Sequence, residues 1–98
     1  MVQSYETRAR YFTQKMNQLG LHTIMPAGGL YCFVSIQSTG MTSMAFATAL
    51  LQKAKVAVVP GCVFGSGGEG YIRACIATDF DQIKHAVRCI EAFMAHHD

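Results

Sequence analysis

Tryptophan is absent from this sequence, proline occurs only twice, and charged residues make up just 14% of it. Lysine and arginine are scattered rather than clustered, and they are not interleaved with aromatics. This argues against a nucleic-acid partner, which demands a concentrated basic footprint. No apolar run approaches the ~20 residues of a membrane-spanning helix. The opening MVQSYETRAR is polar and amphipathic, unlike a secretory signal. Cys32, Cys62, Cys75 and Cys89 include no C-x-x-C pair, which excludes zinc-ribbon and thioredoxin patterns. Three of the four sit in apolar periodic segments, so they read as reduced thiols packed as small hydrophobes in a cytoplasmic protein. His22, His85, His96 and His97 show no ligand spacing with them, and no metal site is expected. No Ser-His-Asp set and no paired carboxylates stand out, so no catalytic residue is assigned.

What is present is apolar. The chain has 98 residues and is 51% hydrophobic, with a net charge of +2. That length supports one domain, residues 1–98, with a single core. An average soluble protein carries ~25% charged residues. A small domain this poor in charge leaves apolar surface exposed, and such surface meets a partner, another domain or a subunit.

Periodicity places the elements. Tyr5, Ala9, Phe12, Met16 and Leu19 form one stripe of a helix over 3–19, with Ser4 as its cap and Gly20 as its stop. HTIMPAGGL reads as a loop, and residues 30–36 as a strand covered on both faces. A second helix runs over 43–54, capped by Thr42 or Ser43, with Ala47, Leu50, Leu51 and Ala54 inward. Val56 to Val59 is a short strand ended by Pro60-Gly61, and Tyr71 to Ile76 is another. A last helix begins at Thr78 or Asp79 and runs to about Ala95, with Asp79 and Gln82 at capping-box spacing. Ile83, Ala86, Val87, Ile90, Phe93 and Met94 make its apolar face. The order α-β-α-β-β-α predicts an α/β (α+β) domain. It should hold a small, mostly antiparallel sheet of three to four strands with helices on one face.

The stretch GSGGEG, residues 65–70, satisfies the dinucleotide fingerprint G-x-G-x-x-G by letter. The fingerprint works because a helix follows the glycines and its N-terminus faces the pyrophosphate. Here YIRACIA follows, which reads as a strand, so nucleotide binding is not expected. Arg73 lies within that strand. Alternation puts Ile72, Ala74 and Ile76 on the core face and Tyr71, Arg73 and Cys75 on the other. A guanidinium mid-strand calls for an anionic partner, and its planar fork suits a carboxylate. The bland alternatives are an arginine in water, or one paired with Glu69 or Asp79.

The same residues carry a family likeness. PAGGLY at 26–31, entering CFVSI, is similar to the pattern P-x-G-G-x-[FY]. LLQKAKVAVVPGCVFGSGGEGYIRACIA at 50–77 is similar to LL-x-x-x-V-x-V-x-P-G-x-x-F-G-x-x-G-E-G-x-x-R. With its closing amphipathic helix, nearly the whole chain resembles the C-terminal small domain of fold-type-I pyridoxal-phosphate aminotransferases, classes I and II. The resemblance implies that Arg73 binds the substrate α-carboxylate. It implies that Gly28, Gly29 and Tyr31 line the substrate, and that Pro60 and Gly61 shape the approach. It further implies pyridoxal 5'-phosphate as cofactor, amino-acid and 2-oxo-acid substrates, and a homodimeric parent enzyme. Lys15, Lys53, Lys55 and Lys84 match no cofactor-lysine motif. The large cofactor-binding domain is therefore expected outside this chain, and the chain alone is expected to be inactive with no cofactor bound. The same resemblance admits the effector domain of an aminotransferase-like transcriptional regulator, or a lyase or decarboxylase of the same fold. A free-standing small-molecule binding module is the remaining alternative.

Overall fold

The computed structural model describes residues 2–24 and 30–96. Among these residues three α-helices, α1 (Val2–Gln18), α2 (Ser43–Ala49) and α3 (Phe80–His96), pack on a four-stranded sheet. The strands are β1 (Thr23–Ile24), β2 (Tyr31–Ser35), β3 (Val59–Pro60) and β4 (Tyr71–Cys75). They lie in the order β1-β2-β4-β3, every neighbouring pair antiparallel.

Helix α1 buries Ala9, Phe12 and Met16, the stripe its periodicity predicts; the Tyr5 side chain lies outside the description. At its end Gly20 takes φ +83°, the Gly20 N–H bonds Asn17 O, and the Leu21 N–H bonds Met16 O. Those two bonds satisfy the carbonyls of Asn17 and Met16, and buried Met16 and Leu21 supply the apolar residues that go with such a cap.

Strand β1 falls where the sequence reads as a loop. Two residues are too few to display a period of two. What makes them a strand is tertiary: Thr23 pairs with Val34 and Ile24 with Phe33. The outer edge of β1 is closed by the Asn17 side chain. It accepts from the Thr23 N–H at 2.9 Å and donates to the Thr23 carbonyl at 3.3 Å.

One face of the sheet carries Cys32, Val34, Ile36, Ile72, Ala74 and Ile76, all buried. The three helices close over it. Phe46 of α2 meets Phe93 of α3 edge-on, with centroids 5.5 Å apart, and Tyr11 of α1 meets Phe80 at 5.2 Å. Among the described residues only this face of the sheet is covered, which differs from the expectation that 30–36 is enclosed on both sides: Tyr31 and Phe33 are exposed.

Thr42 caps α2, its hydroxyl accepting from the Ala45 N–H at 3.2 Å. The buried side is Ser43, Phe46, Ala47 and Leu50, whereas Leu51 is 52% exposed. The expected inward stripe is thus rotated toward Phe46, whose full burial against Phe93 contributes about 1.5–3 kcal/mol. From Leu50 to Ala54 the helix widens into a π turn that ends at Lys55 in the left-handed region, φ 60°. Helix α3 starts one residue after Asp79, whose carbonyl accepts from Gln82 and Ile83 N–H. The side-chain bond found at this end joins Thr78 to Gln82 at 3.3 Å, in place of the anticipated Asp79–Gln82 box.

Lys55 is the described non-glycine residue with positive φ. Its Cβ crowds the backbone there, a strain glycine does not suffer. Lys55→Gly is therefore expected to stabilise the fold by about 1 kcal/mol. This would be read as a higher urea midpoint at unchanged slope; a lower midpoint would contradict the strain.

Candidate functional site

The uncovered sheet face is where the sequence-predicted residues meet. Register aligns Ile24, Phe33, Arg73 and Val59 in one row across all four strands, with Tyr31 opposite Cys75 in the next. Ile24, Tyr31 and Phe33 are 65, 41 and 48% exposed, and Val63 and Phe64 add 59 and 45%. A small domain does not leave such an apolar patch open without purpose.

Arg73 is half-buried in the middle of this face. Its guanidinium carbon stands 4.2 Å from the Tyr31 ring centroid and 4.7 Å from that of Phe64. Phe64 in turn meets Phe33 edge-on at 6.1 Å. The Arg73 Nε is buried and has no hydrogen-bond partner. Among the described residues no carboxylate pairs with Arg73; the ion pair found is Arg10 with Glu6 on α1. A hollow of about 130 Å³ adjoins it, lined by Tyr31, Ala57, Val58, Val59, Arg73 and Cys75. The arrangement is a cation held by π faces beside a small cavity, with its charge uncompensated.

Glu69, one of the two carboxylates offered as a partner for Arg73, is engaged elsewhere. Its Oε2 accepts from the N–H groups of Ser43 at 2.8 Å and Gly70 at 3.1 Å, and its Oε1 from the Ser43 hydroxyl at 3.1 Å. The Ser43 hydroxyl also accepts from the Cys62 N–H at 3.2 Å. The first turn of α2, the turn at 61–64 and the glycine stretch are thereby tied to one point. The Ser43 N–H bond is the main cause holding the Glu69 carboxyl below its ordinary 4.5, against some desolvation and with help from the Ser43 hydroxyl and Gly70 N–H.

The glycines of this stretch have structural reasons. Gly61 and Gly68 cross backbone to backbone. A Cβ on Gly61 would fall on the Gly68 carbonyl oxygen, and one on Gly68 would fall on that of Gly61. After the stretch comes β4 rather than a helix. The helix N-terminus that does face it, that of α2, already holds the Glu69 carboxylate. Residues 65–70 therefore do not form the strand–glycines–helix arrangement of the dinucleotide fingerprint.

Of the other residues singled out from sequence, Tyr31 joins Arg73, and Pro60 and Gly61 lead into the turn that carries Phe64. Pro26, Gly28 and Gly29 lie outside the described residues, as does His97. All four cysteines are free. Burial pushes the Cys32 thiol up, with a Thr13 hydrogen bond acting against it, while Cys75 lies exposed on the Arg73 face. Among the described residues no cluster could hold a metal, and no helix is long and apolar enough to cross a membrane. A wider cleft of about 470 Å³ between residues 55–58 and α3 does not include Arg73. Sequence reasoning gave no role to Phe64, although it is the aromatic of the P-G-x-x-F-G run, or to Ser43 beyond a possible cap.

Two outcomes follow for the clamp. Because the Glu69 carboxyl is held below its ordinary value, its contribution to stability is present above pH ~4.5 and lost as pH falls through the folded-state pKa. Glu69→Gln is expected to lower stability at neutral pH and to flatten the acid limb of the stability profile. An acid limb identical to wild type would refute the clamp. Gly68→Ala is expected to cost about 1–3 kcal/mol through the backbone clash, seen in the same unfolding measurement.

The sequence matches the family described as aminotransferase class I and II over residues 1–90. It is 46% identical to the YugH protein of Bacillus subtilis (strain 168) over 94 residues, which are 96% of this chain and 24% of that protein. It is 41% identical to an aspartate aminotransferase of Pyrococcus abyssi, covering 93% of this chain and 23% of the relative. The fold superposes on the crystal structure of an aromatic aminotransferase from Pyrococcus horikoshii OT3 with a TM-score of 0.92 at 38% identity, covering 95% of this chain and 25% of that one. The chain thus spans about a quarter of the length of the relatives it matches.

Proposed function

This chain belongs to the aminotransferase class I and II family, and from that premise we propose that it forms the C-terminal small domain of a pyridoxal-phosphate-dependent aminotransferase. Such an enzyme moves an amino group between an amino acid and a 2-oxo acid. The role of this domain is to grip the substrate α-carboxylate through Arg73, with Tyr31 and Gly29 forming part of the wall. The carrying observation is the state of Arg73: mid-strand, half-buried, stacked near two rings, and paired with no described carboxylate.

The chain's own residues do not fit the cofactor. Lys15 lies over the Tyr11 ring and Lys84 over the Phe80 ring, while Lys53 and Lys55 close the π turn. None of them lines the hollow beside Arg73. Cofactor attachment is assigned to the part of the relatives' length that this chain does not span. The parent is proposed to act as a homodimer in the cytoplasm, where four free thiols are at home.

Arg73 acts by position and charge. Two parallel N–H···O bonds fix the carboxylate plane. That fixes the direction of the Cα–H bond, so the reacting atoms meet in one orientation. The apolar neighbours Tyr31, Phe33 and Phe64 lower the local dielectric and strengthen the pair. The α-carboxylate is common to every amino acid, and it is the feature this domain reads.

A hydrogen bond to a charged group contributes about 1.5–3 kcal/mol. In the full-length enzyme Arg73→Ala is expected to reduce kcat/KM for a monocarboxylic amino acid by roughly 10- to 100-fold, with a higher KM. Unchanged kinetics would end the proposal.

A further inference from the structure

We propose that Phe64 is a positioning residue for Arg73, holding the guanidinium so that a carboxylate meets its terminal Nη edge. The ligand in this statement rests on the carboxylate reading above; the positioning itself does not.

An arginine stem has several rotatable bonds and a large rotamer entropy, so a fork that must grip one plane has to be restrained. Two observations point to how. The Tyr31 ring, diagonal to Arg73 on the adjacent strand, stands 4.2 Å from the guanidinium carbon, and the Phe64 ring 4.7 Å from it. The Nε is buried with no acceptor, so that donor is withdrawn from any incoming ligand. A carboxylate can pair with a guanidinium through Nε and one Nη, or through both Nη atoms. Burial of Nε leaves the second mode.

Tyr31 belongs to the sheet, but Phe64 is delivered from outside it. It sits at the end of the turn Gly61–Phe64. That turn is located by the Gly61–Gly68 backbone crossing and by the Cys62 N–H bond to Ser43, which also holds Glu69. Phe33, its edge-on neighbour, restrains the ring from the sheet side. The glycine stretch therefore has a task besides connecting two strands: it sets an aromatic ring against the arginine. Phe64 is 45% exposed, so its substitution leaves the core untouched.

The test uses the full-length enzyme. Phe64→Leu keeps apolar bulk and removes the π face; Phe64→Tyr keeps the face. Phe64→Leu is expected to raise KM for an amino-acid substrate roughly three- to tenfold, the scale of a partly desolvated cation–π contact, with a smaller change in kcat. Phe64→Tyr is expected to restore the wild-type KM, which a role in bulk packing alone would not require. In isotope-labelled protein the Arg73 Nε–H signal is expected to exchange with water several-fold faster in Phe64→Leu than in wild type or Phe64→Tyr. Arg73→Lys separates the two claims. If it raises KM and Phe64→Leu does not, the positioning inference is overturned and the carboxylate reading stands. If Arg73→Lys leaves KM unchanged, the carboxylate reading falls. The exchange rate then decides the positioning, which is overturned by a wild-type signal in Phe64→Leu.

Discussion

Glu69 is bound to the first turn of α2, and among the described residues no carboxylate pairs with Arg73. The two residues lie four positions apart in sequence and could have neutralised each other. Instead three donors, the Ser43 and Gly70 N–H groups and the Ser43 hydroxyl, hold the Glu69 carboxylate. One set of bonds therefore does two things. It anchors the glycine stretch to the helix layer, and it engages the carboxylate nearest in sequence to Arg73.

That division runs through the whole domain. Every strand contributes one residue to the row Ile24, Phe33, Arg73 and Val59, and the alternate positions point under the helices. The covered side is a conventional apolar core sealed by Phe46 and Phe93. The uncovered side is also apolar, but it is open and holds a cation among aromatic rings. Such a face is costly in water and becomes favourable when another body covers it. The chain spans about a quarter of its relatives' length.

Long, strongly periodic elements were legible. Helices α1 and α3 and strand β4 stand within a residue or two of where their spacing puts them. Alternation in YIRAC was enough to separate Ile72 and Ala74 from Arg73. Short elements were not legible, since β1 spans only two residues and exists because β2 and the Asn17 amide offer it partners. Strand β3 was expected at 56–59, but pairing with β4 occurs at Val59 and Pro60, because Arg73 and Ile72 are the residues opposite. The rotation of α2 was hidden as well. Ala47, Leu50, Leu51 and Ala54 make a credible stripe, and only the position of Phe93 shows why Phe46 turns inward.

Local pattern alone determined the class of fold, the two faces of β4 and the strand, rather than helix, that follows GSGGEG. These follow from periods and turn chemistry, which act between residues close in the chain. Tertiary structure decided which partners the Glu69 carboxylate would take, which ring would meet Arg73, and why Gly61 and Gly68 must lack side chains. Each of those depends on segments far apart in sequence arriving within a few ångströms. No spacing along the chain encodes a backbone crossing or a carboxylate's choice between two partners.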